Sequence, residues 1–250
     1  MSNDRTANEI AHSEAVREMF SGIAGRYDLL NHVLSLNIDK RWRRKVRALL
    51  GDILENECAV VLDVACGTGD LSIELNRDAK ARVIGTDFCR PMLSVAKEKT
   101  TATNARIPYV EADAMNLSFA DDRFDALTIA FGLRNLPNFA NGLSELHRVL
   151  KPGGRIVILE FSSPVLPGFR QMFNFYFANV LPRIGGAVSG SRGAYEYLPD
   201  SVAKFPDQKA LVAMLERTGF ADVKYQNLTG GIAAIHVGNK NVGPARGARA

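Results

Sequence analysis

The residues best suited to chemistry in this chain are a glycine-containing turn and an aspartate that follows it at a characteristic spacing. An apolar segment, residues 60–64, runs into a turn with Gly67 and Gly69, where a helical pattern begins. Asp87 lies 20 residues after Gly67, at the end of a second apolar segment. In an open α/β sheet, such a turn lets a nucleoside approach the backbone, and the carboxylate accepts hydrogen bonds from its ribose. The spacing therefore predicts a nucleoside-binding site.

Three side chains near the turn favour a nucleoside without phosphates. Ser72 stands where the dinucleotide fingerprint G-x-G-x-x-G has its third glycine, which disfavours an NAD-dependent oxidoreductase. The carboxylates of Asp63 and Asp70 would repel a pyrophosphate, but they suit the ammonium and sulfonium groups of S-adenosylmethionine. The stretch resembles the first motif of the class I methyltransferases. The structural alternative is an ordinary strand–turn–helix unit of an α/β protein.

The ends of the predicted strands supply the candidate cofactor contacts, because ligands of open parallel sheets bind beyond the carboxyl ends of the strands. After the third strand, Asp113 offers a carboxylate to the adenine amino group, and Ala130 ends the fourth strand beside the expected methyl position. The predicted cofactor-binding residues are Asp63, Gly67, Thr68, Gly69, Asp87, Asp113, Ala114 and Ala130.

Strand and helix patterns alternate after residue 58, which predicts a mostly parallel sheet with helices on both faces, closed by an antiparallel pair. Strands are predicted at 59–64, 82–87, 107–110, 124–130, 155–161, 221–228 and 231–238. Helices are predicted at about 69–78, 90–99, 138–150 and 207–218. Residues 151–154, Lys-Pro-Gly-Gly, are expected to end a helix, and residues 229–231 to turn the last hairpin.

Two segments lie outside this pattern. Residues 1–50 are predicted to form a helical preface to a methyltransferase domain at 51–238. Residues 162–206 are predicted to form a helical, substrate-side insertion before the last helix and hairpin. The tail, 239–250, is rich in Gly, Ala and Arg and is predicted to be disordered.

Composition narrows the function classes. The net charge of +4 does not by itself indicate a nucleic-acid partner. The three cysteines have no C-x-x-C spacing, so neither a metal site nor a disulfide framework is expected, and a cytoplasmic location fits free thiols. No apolar run approaches the ~18 residues of a membrane span, so any membrane contact is expected to be peripheral, at the inner face of the cytoplasmic membrane.

Two longer stretches carry a more specific resemblance. One covers residues 27–42, with Tyr-Asp-Leu-Leu-Asn at its start, and the other covers residues 148–162, with Lys-Pro-Gly-Gly. Both resemble signatures of the ubiquinone/menaquinone biosynthesis C-methyltransferases, as do residues 131–135 and 195–206. The resemblance extends over about residues 15–238. It implies a Rossmann-like class I methyltransferase that methylates a ring carbon of a polyprenylated quinol with S-adenosylmethionine.

The resemblance also implies particular contacts and shows departures. Matched positions place cofactor contacts at Thr68, Asp87 and residues 113–114. Ala130 stands where some members have a serine that contacts the cofactor, which puts one side-chain hydrogen bond in doubt. Asp39 replaces a frequent histidine, and Leu30 a common methionine.

The chemistry requires an activated ring carbon. Ionising the neighbouring phenol, with an ordinary pKa of about 10, moves electron density onto that carbon, and a nearby cation favours the phenolate. The predicted catalytic residues are Arg134 as this cation, Asn135 to orient the quinol oxygen or a water, and Tyr27, with a water as the alternative, to relay the proton. A structural salt bridge is the alternative for Arg134, and packing is the alternative for Tyr27.

The histidines offer few further candidates. His32 could act as a base, although a structural role is the simpler interpretation. His147 and His236 are interpreted as structural, and His12 is expected to be exposed.

Two segments could contact lipid. The insertion carries aromatic and apolar side chains that could line a polyprenyl tail, pack on the core or form a homodimer: Phe169, Met172, Phe173, Phe175, Tyr176, Phe177, Val180 and Leu181. Residues 40–47 hold six basic side chains around Trp42, which could meet anionic headgroups or form a solvated helix face.

The leading hypothesis is a C-methyltransferase that makes menaquinol from demethylmenaquinol, with the equivalent ubiquinone-pathway benzoquinol as a further substrate. The alternatives are a methyltransferase of another small phenol or amine, and a non-catalytic scaffold that binds S-adenosylmethionine.

Overall fold

The computed structural model describes residues 5–28, 35, 37–103, 105–165, 171 and 192–242. The helices are α1 (Ala7–Ile23), α2 (Ile38–Ala48), α3 (Gly51–Leu54), α4 (Asp70–Asn76), α5 (Arg90–Ala102), α6 (Phe139–Val149), α7 (Arg192–Lys204) and α8 (Gln208–Thr218). The strands are β1 (Val60–Val64), β2 (Arg82–Asp87), β3 (Tyr109–Glu111), β4 (Phe124–Ala130), β5 (Leu150–Phe161), β6 (Phe220–Leu228) and β7 (Ala233–Lys240).

The strands form one seven-stranded sheet in the order β3-β2-β1-β4-β5-β7-β6. Neighbouring strands from β3 to β5 pair in parallel, whereas β7 pairs antiparallel with both β5 and β6. This arrangement confirms the predicted Rossmann-like sheet. The strand order reverses between β1 and β4, and such a reversal opens a ligand crevice at the carboxyl edge of the sheet.

The sheet is buried on both faces, as alternate residues of its central strands show. Val61 belongs to an apolar cluster that contains side chains of α2 and α4, whereas Leu62 belongs to a second cluster that contains side chains of α6 and α8. Trp42 and Val46 of α2 lie in the first cluster and are buried. The preface helix α2 therefore covers the sheet together with α4.

The predicted and observed boundaries differ most at the start of β5. Residues 151–154 were expected to form a turn, but β5 already begins at Leu150. The register with β4 jumps from Phe124↔Leu150 to Ala126↔Arg155, so residues 151–154 form an irregularity within the strand pairing. Gly153, with φ of +78°, adopts a backbone conformation that favours glycine at this irregularity.

Several predictions lie outside the described residues: His32, Leu30, the tail from residue 243, and the apolar side chains of the insertion between 169 and 181. At the other end of the domain, β7 continues to Lys240, two residues beyond the predicted boundary. Among the described residues, no helix is both long and apolar enough to cross a bilayer. The same part of the chain contains no cluster of His, Cys, Asp and Glu suited to a metal ion.

Candidate active site

A cavity lies at the carboxyl edge of the sheet, where β1, β2, β3 and β4 end. Its lining comes from the glycine turn, from the residues that follow the other strands, and from the preface. The described lining residues that bear on the argument are Tyr27, Arg43, Asp63, Gly67, Thr68, Asp70, Asp87, Asp113, Ala114, Ala130, Phe131 and Asn135. Among the predicted site residues, Gly69 and Arg134 are not part of this lining.

Two residues that line or adjoin the cavity have positive φ angles, which residues with a Cβ rarely adopt. Ala65, after β1, has φ of +50°, and Phe131, after β4, has φ of +56°. These left-handed conformations are costly for residues with a Cβ and cluster at functional sites. At Gly69, φ is +81° and a Cβ would come 2.6 Å from the Tyr109 hydroxyl oxygen, so glycine is required there by conformation and by space.

Asp87 connects the end of β2 to the glycine turn. Its Oδ2 accepts a hydrogen bond from the Gly67 N–H at 2.8 Å, and its Oδ1 accepts from the Cys89 N–H at 2.9 Å. Burial raises the pKa of Asp87 from 3.8 to about 6, although these backbone donors oppose the shift. Each carboxylate oxygen keeps a second lone pair, so Asp87 is able to accept ribose hydroxyls.

Asp63 is buried on β1 and accepts hydrogen bonds from two hydroxyl groups. Ser72 Oγ donates to its Oδ2 at 2.6 Å, and Thr128 Oγ1 donates to its Oδ1 at 2.7 Å. Burial raises the pKa of Asp63 from 3.8 to about 6, while these donors and Arg43 act in the opposite direction. Ser72, which departs from the dinucleotide fingerprint, therefore holds an aspartate of the cavity.

An ionic network joins the preface to the glycine turn. Lys99 Nζ contacts Asp70 and lies 2.6 Å from Asp28 Oδ2 of the preface. The guanidinium of Arg43 lies 2.8 Å from Asp70 Oδ2 and also pairs with Asp39, its neighbour one turn earlier in α2. Lys99 is not among the residues predicted from the sequence, and Arg43 was expected to belong to a basic cluster on the surface.

The basic cluster is therefore smaller than predicted. Trp42 and Arg43 are buried, and Trp42 Nε1 donates to Thr229 Oγ1 at 3.2 Å. The remaining exposed basic side chains of α2 are Lys40, Arg41, Arg44 and Lys45. The hypothesis that residues 40–47 meet anionic headgroups is therefore wrong for Trp42 and Arg43. Trp42 packs in the core, and Arg43 belongs to the ionic network.

Thr68 belongs to the ionic network of Lys99 and Asp28, because its Oγ1 donates to Asp28.

The aspartate that follows the third strand, Asp113, already has hydrogen-bond and ion-pair partners. Asp113 Oδ1 accepts from the Met115 N–H at 2.8 Å, and its Oδ2 lies 2.6 Å from the guanidinium of Arg5. Ala114 and Ala130 line the cavity, as their position after β3 and at the end of β4 predicts.

Arg134 forms a buried ion pair. Its side chain is 6% exposed and lies 2.7 Å from Oε1 of Glu160, whose side chain is 1% exposed at the end of β5. The backbone N–H of Arg134 also donates to Glu160 Oε2 at 3.3 Å. Burial raises the pKa of Glu160, and Arg134 opposes that shift. The salt bridge that was the structural alternative for Arg134 is present, and its catalytic role stays a prediction.

Asn135 is oriented by hydrogen bonds on both sides of its amide. Its Nδ2 donates to the Phe131 carbonyl at 3.2 Å, and its Oδ1 accepts from the Tyr197 hydroxyl at 3.1 Å. His12 Nε2 lies 3.2 Å from the Asn135 carbonyl oxygen. The expectation that His12 is exposed is wrong, because α1 packs this half-buried ring against the loop after β4.

Tyr27 lines the cavity beside the glycine turn. Its ring packs edge-to-face on Phe20, with the ring centroids 5.8 Å apart, and its Cε1 lies 3.9 Å from an ideal Cβ on Gly67.

His147 and His236, both interpreted as structural from the sequence, have structural contacts. His147 packs edge-to-face on Phe220, and His236 Nε2 hydrogen-bonds the Gln208 carbonyl.

The charges of the cavity indicate which ligand it can hold. Asp63, Asp70, Asp87 and Asp113 line it, whereas Arg43 is the one cationic lining residue within the described part of the chain. A pyrophosphate would be repelled, while a nucleoside with a cationic centre is favoured. S-adenosylmethionine therefore fits the residues present.

Comparison with known proteins agrees with this chemistry. A family model described as the ubiE/COQ5 methyltransferase family matches residues 8–240. A demethylmenaquinone methyltransferase of Thermus thermophilus is 50% identical over 223 residues, which cover 89% of this chain and all of that protein. A ubiquinone/menaquinone biosynthesis C-methyltransferase UbiE of Geobacter sp. strain M21 is 48% identical, over 91% of this chain and 97% of that protein.

Solved structures share the fold at low identity. A SAM-dependent methyltransferase from Aquifex aeolicus superposes with a TM-score of 0.56 at 19% identity, covering 76% of this chain and 87% of that chain. The cyclase SpnF superposes with a TM-score of 0.60 at 18% identity, covering 80% and 81% of the two chains. Since a cyclase also has this fold, the fold alone does not establish methyl transfer.

The raised pKa values of Asp63 and Asp87 predict how stability depends on pH. Between about pH 4 and pH 6 the folded chain keeps protons that the unfolded chain has released. The contribution of these two groups to the free energy of unfolding therefore becomes smaller as the pH rises from about 4 to 6, and the folded chain becomes less stable. In Asp87→Asn the fall should be smaller by about 1–3 kcal/mol, measured by urea unfolding from pH 4 to pH 7.

Asp222→Asn is the matched control, since Asp222 is exposed. Its pH profile should follow that of the unmodified chain. An Asp87→Asn profile parallel to both others would show that Asp87 is ionised as easily in the folded chain as in the unfolded one, contrary to the expected result.

Proposed function

The chain belongs to the ubiE/COQ5 methyltransferase family, and from this we propose that it transfers a methyl group from S-adenosylmethionine to a ring carbon of demethylmenaquinol, giving menaquinol. The observation that carries the proposal is the anionic cavity at the carboxyl edge of the sheet, within a chain that matches a named demethylmenaquinone methyltransferase over that protein's whole length. Relatives named for both quinone pathways support the ubiquinone-pathway benzoquinol as a second substrate.

The cofactor-side residues have separable tasks in this proposal. When bound, S-adenosylmethionine supplies a methyl group activated by its positively charged sulfur. Asp87 accepts the ribose hydroxyls, and Asp113 accepts the adenine amino group beside Ala114. Gly67 and Gly69 let the backbone approach the ligand. Asp63 and Asp70 provide negative charge for the cationic part, held in place by Ser72 and Lys99 respectively.

The acceptor-side residues lie past the end of β4. Glu160 neutralises much of the charge of Arg134, and Arg134 lies outside the described cavity lining, so Arg134 donates a hydrogen bond only to a phenolate oxygen that reaches past that lining. Its Nε is buried and has no hydrogen-bond partner among the described residues. Asn135, oriented by Tyr197, holds the same oxygen or a water. Tyr27, on the preface side of the cavity, or a water passes the proton that the phenol releases to solvent. The methylated ring carbon then loses its own hydrogen as a proton to water, which restores the aromatic ring.

The membrane contact in this proposal is made by the exposed face of α2. Lys40, Arg41, Arg44 and Lys45 point to solvent on one side of the helix, whose other side lies in the core. Such a face attracts an anionic lipid surface, where each charge contributes about 1 kcal/mol. It would bring the cavity to a substrate that resides in the bilayer at the cytoplasmic face.

The first prediction concerns the reaction. Purified protein, methyl-labelled S-adenosylmethionine and a panel of reduced demethylated naphthoquinols and benzoquinols should give label on a ring carbon, located by NMR of the product. Transfer to a naphthoquinol is expected, because two relatives named demethylmenaquinone methyltransferase are 50% and 49% identical over 89% and 91% of this chain. Label on oxygen, or no label on any quinol of the panel, would contradict the proposal.

The second prediction separates catalysis by Arg134 from its structural role. Replacing Arg134 alone leaves Glu160 buried without its partner, which destabilises the fold. The double variant Arg134→Leu/Glu160→Leu removes both charges together. We expect kcat to fall about 100-fold or more, with the dissociation constant of S-adenosylhomocysteine within twofold of the unmodified value. Unchanged turnover in the double variant would remove Arg134 from the mechanism.

The third prediction concerns the membrane face. In flotation with vesicles that contain anionic lipid, Arg41→Glu/Arg44→Glu should lose most vesicle association, because the change reverses two charges of the exposed face. Lys97→Glu/Arg106→Glu is the control, since it reverses the same number of charges at exposed residues outside α2. Equal flotation of the α2 variant and the control would count against the assignment of this face.

A further inference from the structure

The cofactor proposed above has an amino acid end whose carboxylate has no assigned partner so far. The sheet order β3-β2-β1-β4 fixes where this end lies. Asp113 and Asp87, which suit the adenosine, follow β3 and β2, so the amino acid end extends towards β1 and β4. The side chains in that direction include Asp63 of β1 and Asp70 at the start of α4.

A carboxylate beside Asp63 and Asp70 requires a cation. Arg43 lines the cavity at this place, 2.8 Å from Asp70 Oδ2. Its charge is felt by Asp63, which lies on the same buried face of β1 that α2 covers. The Arg43 side chain is 10% exposed, so a contact with an anion is screened far less than at the surface.

Lys99 is the nearest competing cation, and its contacts are different. Its ammonium lies between Asp28 and Asp70 and 3.5 Å from Thr68 Oγ1. Lys99 does not appear among the described lining residues, whereas Arg43 does. A guanidinium also offers five donors in a planar fork, so it is able to keep its aspartate contacts while it receives a carboxylate.

From these contacts we propose that Arg43 binds the carboxylate of the cofactor's amino acid end and so distinguishes S-adenosylmethionine from adenosine compounds that lack it. This inference rests on the proposed function. Asp39 is a positioning residue, because it pairs with Arg43 one turn away in α2 and accepts a hydrogen bond from Ser35 Oγ at 2.6 Å. The aspartate that departs from the family's frequent histidine thus serves the cofactor site in this chain.

The test is isothermal titration with three ligands: S-adenosylhomocysteine, its decarboxylated analogue and 5′-methylthioadenosine. The analogue keeps the ammonium group, so it isolates the carboxylate. In Arg43→Gln, the affinity for S-adenosylhomocysteine should fall about 10- to 100-fold, the range for a lost hydrogen bond to a charged group. The affinities for the other two ligands should not fall, and Arg43→Lys should recover part of the loss.

Arg44→Gln and Lys99→Gln complete the design. Arg44 is the exposed neighbour, so its variant should bind all three ligands as the unmodified chain does. Equal losses for the three ligands in Arg43→Gln would overturn the proposal, because they would indicate a structural role alone. A carboxylate-selective loss in Lys99→Gln instead would assign the contact to Lys99. If the unmodified chain binds none of the three, the proposed function itself fails.

Discussion

Two buried carboxylates at the carboxyl edge of the sheet are the constraint on which the rest of the site depends. Asp63 and Asp87 lie on adjacent strands, and burial opposes the charge that Asp63 needs to attract a cation and that Asp87 needs to accept ribose hydroxyls strongly. Two hydroxyl groups donate hydrogen bonds to Asp63, and two backbone N–H groups donate hydrogen bonds to Asp87. These donors fix the position of both carboxylates and favour their ionised forms.

The preface and the domain form one site around this constraint. α2 packs in the same apolar cluster as α4, and Arg43 reaches from it to Asp70. Opposite this charged end, the loop after β4 is held by a buried ion pair and by the oriented amide of Asn135. The cavity lining therefore carries carboxylates with Arg43 on one side and the oriented amide of Asn135 on the other.

Sequence reasoning predicted the parts that local patterns determine. The bounds of β2 and β4 are as predicted, because each is an apolar run that ends at a polar or small residue. The pairing of Asp87 with the glycine turn also follows from spacing. The partners of Asp63 and Arg43 do not, because they depend on which side chains the fold brings together from distant segments. The same reason explains why the contacts of His12 were missed.

The most direct measurement of the central claim is calorimetric titration with S-adenosylmethionine at about pH 6, repeated in buffers of different ionisation enthalpy. A cation near Asp63 and ribose hydroxyls that donate to Asp87 both favour the ionised carboxylates and lower their raised pKa values, so binding should release protons to the buffer. A nicotinamide dinucleotide should not bind, because its pyrophosphate meets the same carboxylates. Binding of the dinucleotide together with no uptake of S-adenosylmethionine would contradict a cation-selective edge of the sheet.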